Sequence, residues 1–561
     1  MRKHQWVVIG FLLSVIIVMN CQEKKPVIIS YADIPHVENQ LGKFVPVEIN
    51  YNEDLLSENQ KKVVLKLVEA SKLMDEIFLR QVYKNNVAIR EALQRGDNLD
   101  YDVLQDYFEI NFGPFDRLEG DEPFINLKQE KPEGANYYPV DMTREDFERW
   151  IENHPDDKES FTSNFTVIRR EDNGLGAIPY SEEYSFFLQQ ASQLLKEAAE
   201  LAENPSLKTY LNSRAEAFLS NDYFQSDMNW MDLKDHTIEV VIGPYEVYED
   251  KLFGYKAAFE SFITLVDPDE SEKLRKVGNY LDALERRLPI PDGHKNFERG
   301  KSSPIVVVDE VFTGGDTKAG VQTIAFNLPN DERVREAKGS KKVMLKNVSR
   351  AKFEKISTPI MQKVLKKEEV EKVSFDAFFN HVLLHEMSHG IGPGKITKNG
   401  KETTVNQELK ETYSTLEEAK ADVLGLYNFH FMIDQNVFPQ EVAESVYPSF
   451  VGGIFRSVRF GIEEAHGGGN AIILNYLMEK GAVEFDDDTE RFGINYQKIE
   501  KAVRDLAHEI LMIQALGDYE GAKSFIETYR YESPELQTAL DKLEDVPVDI
   551  RPIYAIEKEL E

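Results

Sequence analysis

The chain has 561 residues, 42% of them apolar and 29% charged, the composition of a globular protein long enough for two or more cores. With 99 acidic against 66 basic residues its formal charge is −33, which argues against nucleic acid and against electrostatic adhesion to anionic lipid.

The first twenty residues read as an address rather than as fold. Arg2, Lys3 and His4 precede an uncharged apolar run from Trp6 to Met19, and Asn20-Cys21 leads into the polar stretch Gln22-Glu23-Lys24-Lys25-Pro26. A signal peptide over residues 1–20 is expected, with Cys21 resembling the acylated cysteine of a bacterial lipobox; an ordinary signal peptide or an uncleaved anchor is the alternative. Either way the remainder is expected in the cell envelope, facing periplasm or exterior, and held to the membrane through lipid on Cys21. Cys21 is the only cysteine, so no intramolecular disulfide is expected. No later stretch reaches the ~18 apolar residues of a membrane span.

Residues 55–95 read as helical, because Leu55, Leu56, Val63, Val64, Leu67, Val68, Leu73 and Ile77 recur at three-to-four spacing. Residues 97–180, richer in Pro, Gly, Asn and Asp, read as loops with short helices, and 181–220 return to a helical stripe. Short β-branched runs at Thr237–Gly243, Pro304–Asp309, Val321–Asn327 and Lys342–Asn347 read as strands of one sheet or barrel, with a helix-like insert at 251–287. From Ile356 to about Ala515 the chain is helical again. The expected fold is α+β in two lobes separated by a cleft. Residues 21–350 would form a mixed lobe with a small β-barrel or sheet, and 251–300 are left open to joining the other lobe. Residues 351–515 would form a helical metal-bearing lobe, and 516–561 would return to the mixed lobe.

The chemistry concentrates in the helical part. His385-Glu386-Met387-Ser388-His389 places two imidazoles four residues apart, so that both project from one helix face and can share a metal ion. Glu386, one position off that line, is placed to handle a proton. About thirty residues later Glu417-Glu418-Ala419-Lys420-Ala421-Asp422 offers a carboxylate as third ligand, the usual completion of a catalytic zinc site. Thr415-Leu416-Glu417-Glu418 also fits a helix capping box, which would compete for Glu418. His381, which makes a second four-residue pair with His385, reads as a packed residue or a support for the ligands. The expected cofactor is one Zn2+ per chain.

These motifs, together with Glu463-Glu464-Ala465-His466, Asn327-Leu328-Pro329-Asn330 and Gly243-Pro244-Tyr245-Glu246-Val247-Tyr248 in that relation, resemble the dipeptidyl peptidase III family of zinc metallopeptidases in its bacterial form. The resemblance covers most of the chain beyond residue 21. It implies that His385, His389 and Glu418 bind zinc, that Glu386 is the general base, and that Glu417 holds a metal-bound histidine in its tautomer. It further implies that His466 and Tyr248 steady the oxyanion, and that Glu246, Asn327 and Asn330 grip the free amino end of the substrate. The implied activity is release of dipeptides from the amino terminus of short peptides by a monomer. Another zinc peptidase with the same core, or a non-catalytic peptide-binding surface lipoprotein, are the alternatives. Read without the resemblance, Asn327-Leu-Pro-Asn is a plain turn, Glu246 and Tyr248 alternate as on a solvent-facing strand, and His466 is a cation at a helix end. The sequence departs from the family in two places. Its zinc motif is a pentapeptide where most members have a hexapeptide, and Asn470 stands where members carry an arginine four residues after the matching histidine.

Overall fold

The computed structural model describes residues 33–96, 99–127, 129–172, 174–297 and 304–559, so the signal peptide expected over residues 1–20 and Cys21 lie outside the described residues. Among those described, no helix is long and apolar enough to cross a membrane. The fold is a two-lobe α+β assembly.

Strand β1 (Phe44–Ile49) is followed by the long helix Glu58–Val82. Ser57 and Gln60 close a capping box at its start, and its stripe Val63, Val64, Leu67, Val68, Met74 and Ile77 is fully buried. That stripe covers one face of a sheet built from β2 (Ile238–Pro244), β3 (Phe259–Val266), β4 (Ile305–Gly315), β5 (Ala325–Leu328) and β6 (Lys341–Leu345). The strand order is β2-β3-β4-β6-β5, an open sheet in which only β4 and β6 run parallel. Lys342 of β6 stands directly opposite Asn327 of β5. Strand β7 (Asp549–Tyr554) pairs in parallel with β1, so the end of the chain lies beside its first strand.

The sheet corrects one expectation. The stretch expected to be a helix-like insert contains β3, Phe-Glu-Ser-Phe-Ile-Thr-Leu-Val, an internal strand of the sheet, followed by the helices Pro268–Gly278 and Leu281–Arg287. Seven of the eight β3 residues are buried, so both faces are covered and no two-residue alternation marks the strand. The strand read at Val321–Asn327 begins only at Ala325, because Gln322 donates its amide to Asp549 instead of to a neighbouring strand.

The helical lobe is organised by three helices: Phe375–Ser388, Tyr413–Asp434 and Ala465–Glu479. Fifteen residues of the second are buried, including Lys420 and Asp422. Two short hairpins interrupt the helical run, Lys395–Lys398 with Lys401–Thr404 and Val483–Asp486 with Arg491–Ile494. The segment after Leu281 packs on this lobe, where the Arg287 guanidinium lies 4.3 Å from the Phe431 ring centroid and Gly392 donates its amide to Glu285.

Candidate metal centre and active site

The histidine helix starts at Ser374, whose hydroxyl caps the Ala377 amide. Its last turn carries His385 and Glu386, and His389 is its C-cap. The helix Tyr413–Asp434 crosses it closely at Gly425. A Cβ there would stand 3.0 Å from His381 Nε2 and 3.4 Å from the His385 amide, so a larger residue would push the glutamates away from the histidines. That second helix begins at Tyr413, which puts Thr415 inside it and rules out the capping box that would have occupied Glu418. The third helix approaches equally closely, since a Cβ on Gly469 would lie 3.0 Å from the Ala419 amide. This brings His466, in its first turn, up to Glu418.

The nitrogens and oxygen that result have the spacing of a metal coordination sphere. His385 Nε2 and His389 Nε2 are 3.2 Å apart, and they lie 3.3 and 3.8 Å from Glu418 Oε2. Ligands at zinc bond lengths of 2.0–2.1 Å in a tetrahedron are separated by about 3.3 Å. Glu418 Oε2 is buried and receives no well-directed hydrogen bond, although three imidazoles converge on it. An unsatisfied buried carboxylate oxygen facing two ring nitrogens is costly without a cation, so these residues fit a metal ion. The pentapeptide spacing is therefore sufficient to point both rings at one spot.

Behind each ligand stands an acceptor that sets its tautomer. Asp422 Oδ1 takes the Nδ1–H of His385 at 2.7 Å, and Glu417 Oε1 takes that of His389 at 3.0 Å, leaving both Nε2 atoms to face the metal position. Each acceptor is held in turn. Asn470 donates to Asp422 Oδ2 and to the His466 carbonyl, while Lys420 and Gln514 donate to Glu417. In the sequence Asp422 is only the end of a motif, and its role follows from the fold. Asn470 fills the place of the family's arginine with a buried link between two helices. His381 donates to or accepts nothing at the metal position; its Nε2 meets the Asp422 carbonyl at 3.0 Å and its ring packs on Phe450.

Burial disfavours the charged form of His385, but Asp422 and Glu418 outweigh it and hold the ring up to about 10. Burial likewise opposes the Glu417 charge, and Lys420 and His389 overcome it, holding that carboxyl down to about 2. Glu418 is held well below the usual carboxylate range, with His385 and His466 overcoming its burial. A pH dependence follows for protein stripped of metal. A histidine raised in the folded state from 6.5 to about 10 contributes stability in full below 6.5 and loses it as pH rises towards 10. Chelator-treated protein should therefore melt at lower temperature as pH rises through that window, and calorimetry should show a proton released per metal taken up. A melting temperature that is flat or rising with pH in chelator would contradict this.

In the strand lobe, Glu246 and Tyr248 lie past the end of β2 rather than on a strand, although the Ala258 amide still bonds the Glu246 carbonyl. Asn330 donates to the Tyr245 carbonyl and also bonds the Glu246 side chain. Burial raises the Glu246 carboxyl above its ordinary value, and Asp316 close by is pushed up to about 7 by burial and by the neighbouring Glu249. Such a cluster of under-neutralised carboxyls favours an arriving cation. Tyr248 is 78% exposed, and His466 is exposed beside Glu418. Asn327 shares a cavity of about 680 Å³ with Glu386, His389 and Glu417. Lys342, not anticipated from the sequence, lines the same cavity and pairs with Glu386.

A two-lobe fold with a His/Glu donor set beside a cavity suits a hydrolase of the peptidase class, and comparison with known proteins agrees. Residues 129–436 match peptidase family M49, and the chain belongs to that family. The structure of DPP III from Caldithrix abyssi is similar at 60% identity and a TM-score of 0.89, over 93% of this chain and 100% of that one. Dipeptidyl-peptidase III from Corallococcus sp. strain EGB is similar at 40% identity and a TM-score of 0.75, over 94% of this chain and 99% of that one. Nudix hydrolase 3 of Arabidopsis thaliana is 40% identical over 93% of this chain and 74% of its own length, leaving about a quarter of the plant protein unmatched.

Proposed function

We propose that this peptidase is a zinc-dependent dipeptidyl aminopeptidase acting on short peptides with a free amino terminus. The observation that supports the reading is the convergence of His385, His389 and Glu418 on one spot, beside a cavity that Glu386 and His389 share with Asn327, which lies three residues before the Asn330 that bonds Glu246. A carboxylate with amide oxygens is what an ammonium group requires, and such a clamp at a set distance from the metal counts residues from the amino end.

When bound, zinc supplies Lewis acidity to the attacking water and the scissile carbonyl. His385, His389 and Glu418 hold it, and Asp422 and Glu417 fix the imidazoles. Glu386 takes the proton of the attacking water and delivers it to the leaving amine. His466 and Tyr248 donate to the oxygen on which charge develops. Glu246, Asn327 and Asn330 orient the amino end, so that the second peptide bond lies at Glu386. We also propose acylation at Cys21 and attachment to an envelope membrane, a reading that rests on residues 1–26 alone.

Incubation with short peptides, amino-free and amino-acetylated, with and without a chelator, should release a two-residue amino-terminal fragment by mass spectrometry. Acetylation and chelation should each abolish it. Cleavage of acetylated peptides would instead assign an endopeptidase with the same zinc core, and binding with no cleavage of any peptide would assign a peptide-binding lipoprotein.

A further inference from the structure

We infer that the buried pair Arg214–Asp227 positions the amino-end clamp, an inference that rests on the reading of Glu246 and Asn330 as that clamp. Arg214 stands in the helix Pro205–Ser220 and Asp227 in the helix Phe224–Met231, and their side chains form a buried salt bridge. The rings of Tyr210, Tyr223 and Tyr245 surround the guanidinium, with centroids 5.6, 5.3 and 5.4 Å away. The end of β2 passes so close that a Cβ on Gly243 would lie 2.5 Å from Arg214 Nη1.

As core material the pair is a poor choice. Arg214 Nε and Nη1 are buried with no hydrogen-bond partner among the described residues, and unmade hydrogen bonds of this kind are costly. Apolar side chains of similar volume commonly replace a buried ion pair with no loss of stability. What they would not supply is direction. A flat guanidinium among three rings, and an Asp227 oxygen 3.4 Å from the Tyr245 hydroxyl, fix how the Tyr245 ring is set.

Tyr245 is where the pair meets the clamp. Its backbone passes directly to Glu246, its amide donates to the Ala258 carbonyl, and its own carbonyl accepts from Asn330 at 3.1 Å. Asn330 in turn bonds the Glu246 side chain. The turn that carries Asn330 also rests on the Asp227 helix. Asp331 caps the helix Glu332–Lys338, and Arg333 sets its guanidinium 4.7 Å from the ring centroid of Phe224, the first residue of the Asp227 helix. Both arms of the clamp are thereby tied to one ion pair, which sets their spacing.

The test uses zinc-loaded enzyme and a tetrapeptide with a free or an acetylated amino end, each made uncleavable by reducing the scissile amide to an amine, with binding read by calorimetry. The wild type should favour the free amino end about 100-fold, the worth of charge-assisted hydrogen bonds to one ammonium. The double variant Arg214→Met, Asp227→Leu should reduce that preference to about ten-fold or less. Its zinc content and melting temperature should match the wild type, and its affinity for the acetylated analogue should stay within about two-fold. Tyr245→Phe, which keeps the ion pair, should give an intermediate preference at an unchanged melting temperature, and it decides the matter should the double variant not fold. A full preference in the folded double variant, or in Tyr245→Phe if the double variant does not fold, would overturn the inference. So would a loss of preference accompanied by equal weakening towards the acetylated analogue and a lower melting temperature, which would make the pair ordinary core. Equal binding of the two analogues by the wild type would instead remove the amino-end clamp itself, and the inference with it.

Discussion

Replacing Glu386 by glutamine should leave zinc in place and remove turnover. The side chain lies off the ligand line. His385 and His389 converge with Glu418 without it, and their supports Asp422 and Glu417 do not touch it. Glutamine preserves the shape and can still accept a hydrogen bond from Lys342, but it cannot accept and return a proton. General acid–base catalysis contributes about 10²–10⁴-fold, and the same group is used for both transfers here, so a fall in kcat of roughly 10³-fold or more is expected. Metal analysis should show one zinc per chain, as in the wild type, and KM should move little because the amino-end clamp is untouched. A variant retaining more than a tenth of the wild-type kcat would sink Glu386 as the proton carrier. Equal loss of zinc and activity would instead make it a structural support of the site.

The parts of the site carried by local periodicity were legible in the sequence, and the parts made by the meeting of distant elements were not. His385 and His389 share a helix face whatever the rest of the chain does, and Glu418 sits near the start of a helix rich in small residues. Asp422 lay inside the same quoted motif, but its contact with His385 depends on how two helices cross at Gly425. Lys342 reaches Glu386 from a strand 44 residues away, and nothing about a lysine in Lys-Lys-Val-Met-Leu announces that. The alternation of Glu246 and Tyr248 suggests strand register, whereas β2 ends at Pro244 and both residues stand on the loop that follows. In the fold, β3 was lost to a helical reading because its burial on both faces erased the alternation that marks a strand. The role of Asn470 depends on the packing of two helices, because its amide joins Asp422 to the His466 carbonyl.

The metal should depend on Glu418 more steeply than on any of the groups that support the histidines. Glu418→Gln replaces the one charged donor facing His385 and His389 with a neutral amide, and it also takes the charge from the acceptor that His466 meets at 3.0 Å. Loss of an outer partner typically costs about 10–100-fold in metal affinity, which is the expectation for Asp422→Asn. Loss of a ligand should exceed about 100-fold, so that Glu418→Gln is purified without zinc. The two variants should also differ in rescue. Asp422→Asn keeps its three donor atoms and loses only the group that orients one ring, so added zinc should restore most of its turnover. Glu418→Gln should stay inactive at the same concentration, because the remaining imidazoles gain no replacement charge. The metal-free forms offer a check that does not involve activity. Each substitution removes a carboxylate that holds the His385 ring up to about 10, so the fall in stability with rising pH expected of the stripped wild type should shrink in both. Retention of stoichiometric zinc by Glu418→Gln would move the third ligand elsewhere, and His466, already beside Glu418, would be the first residue to examine.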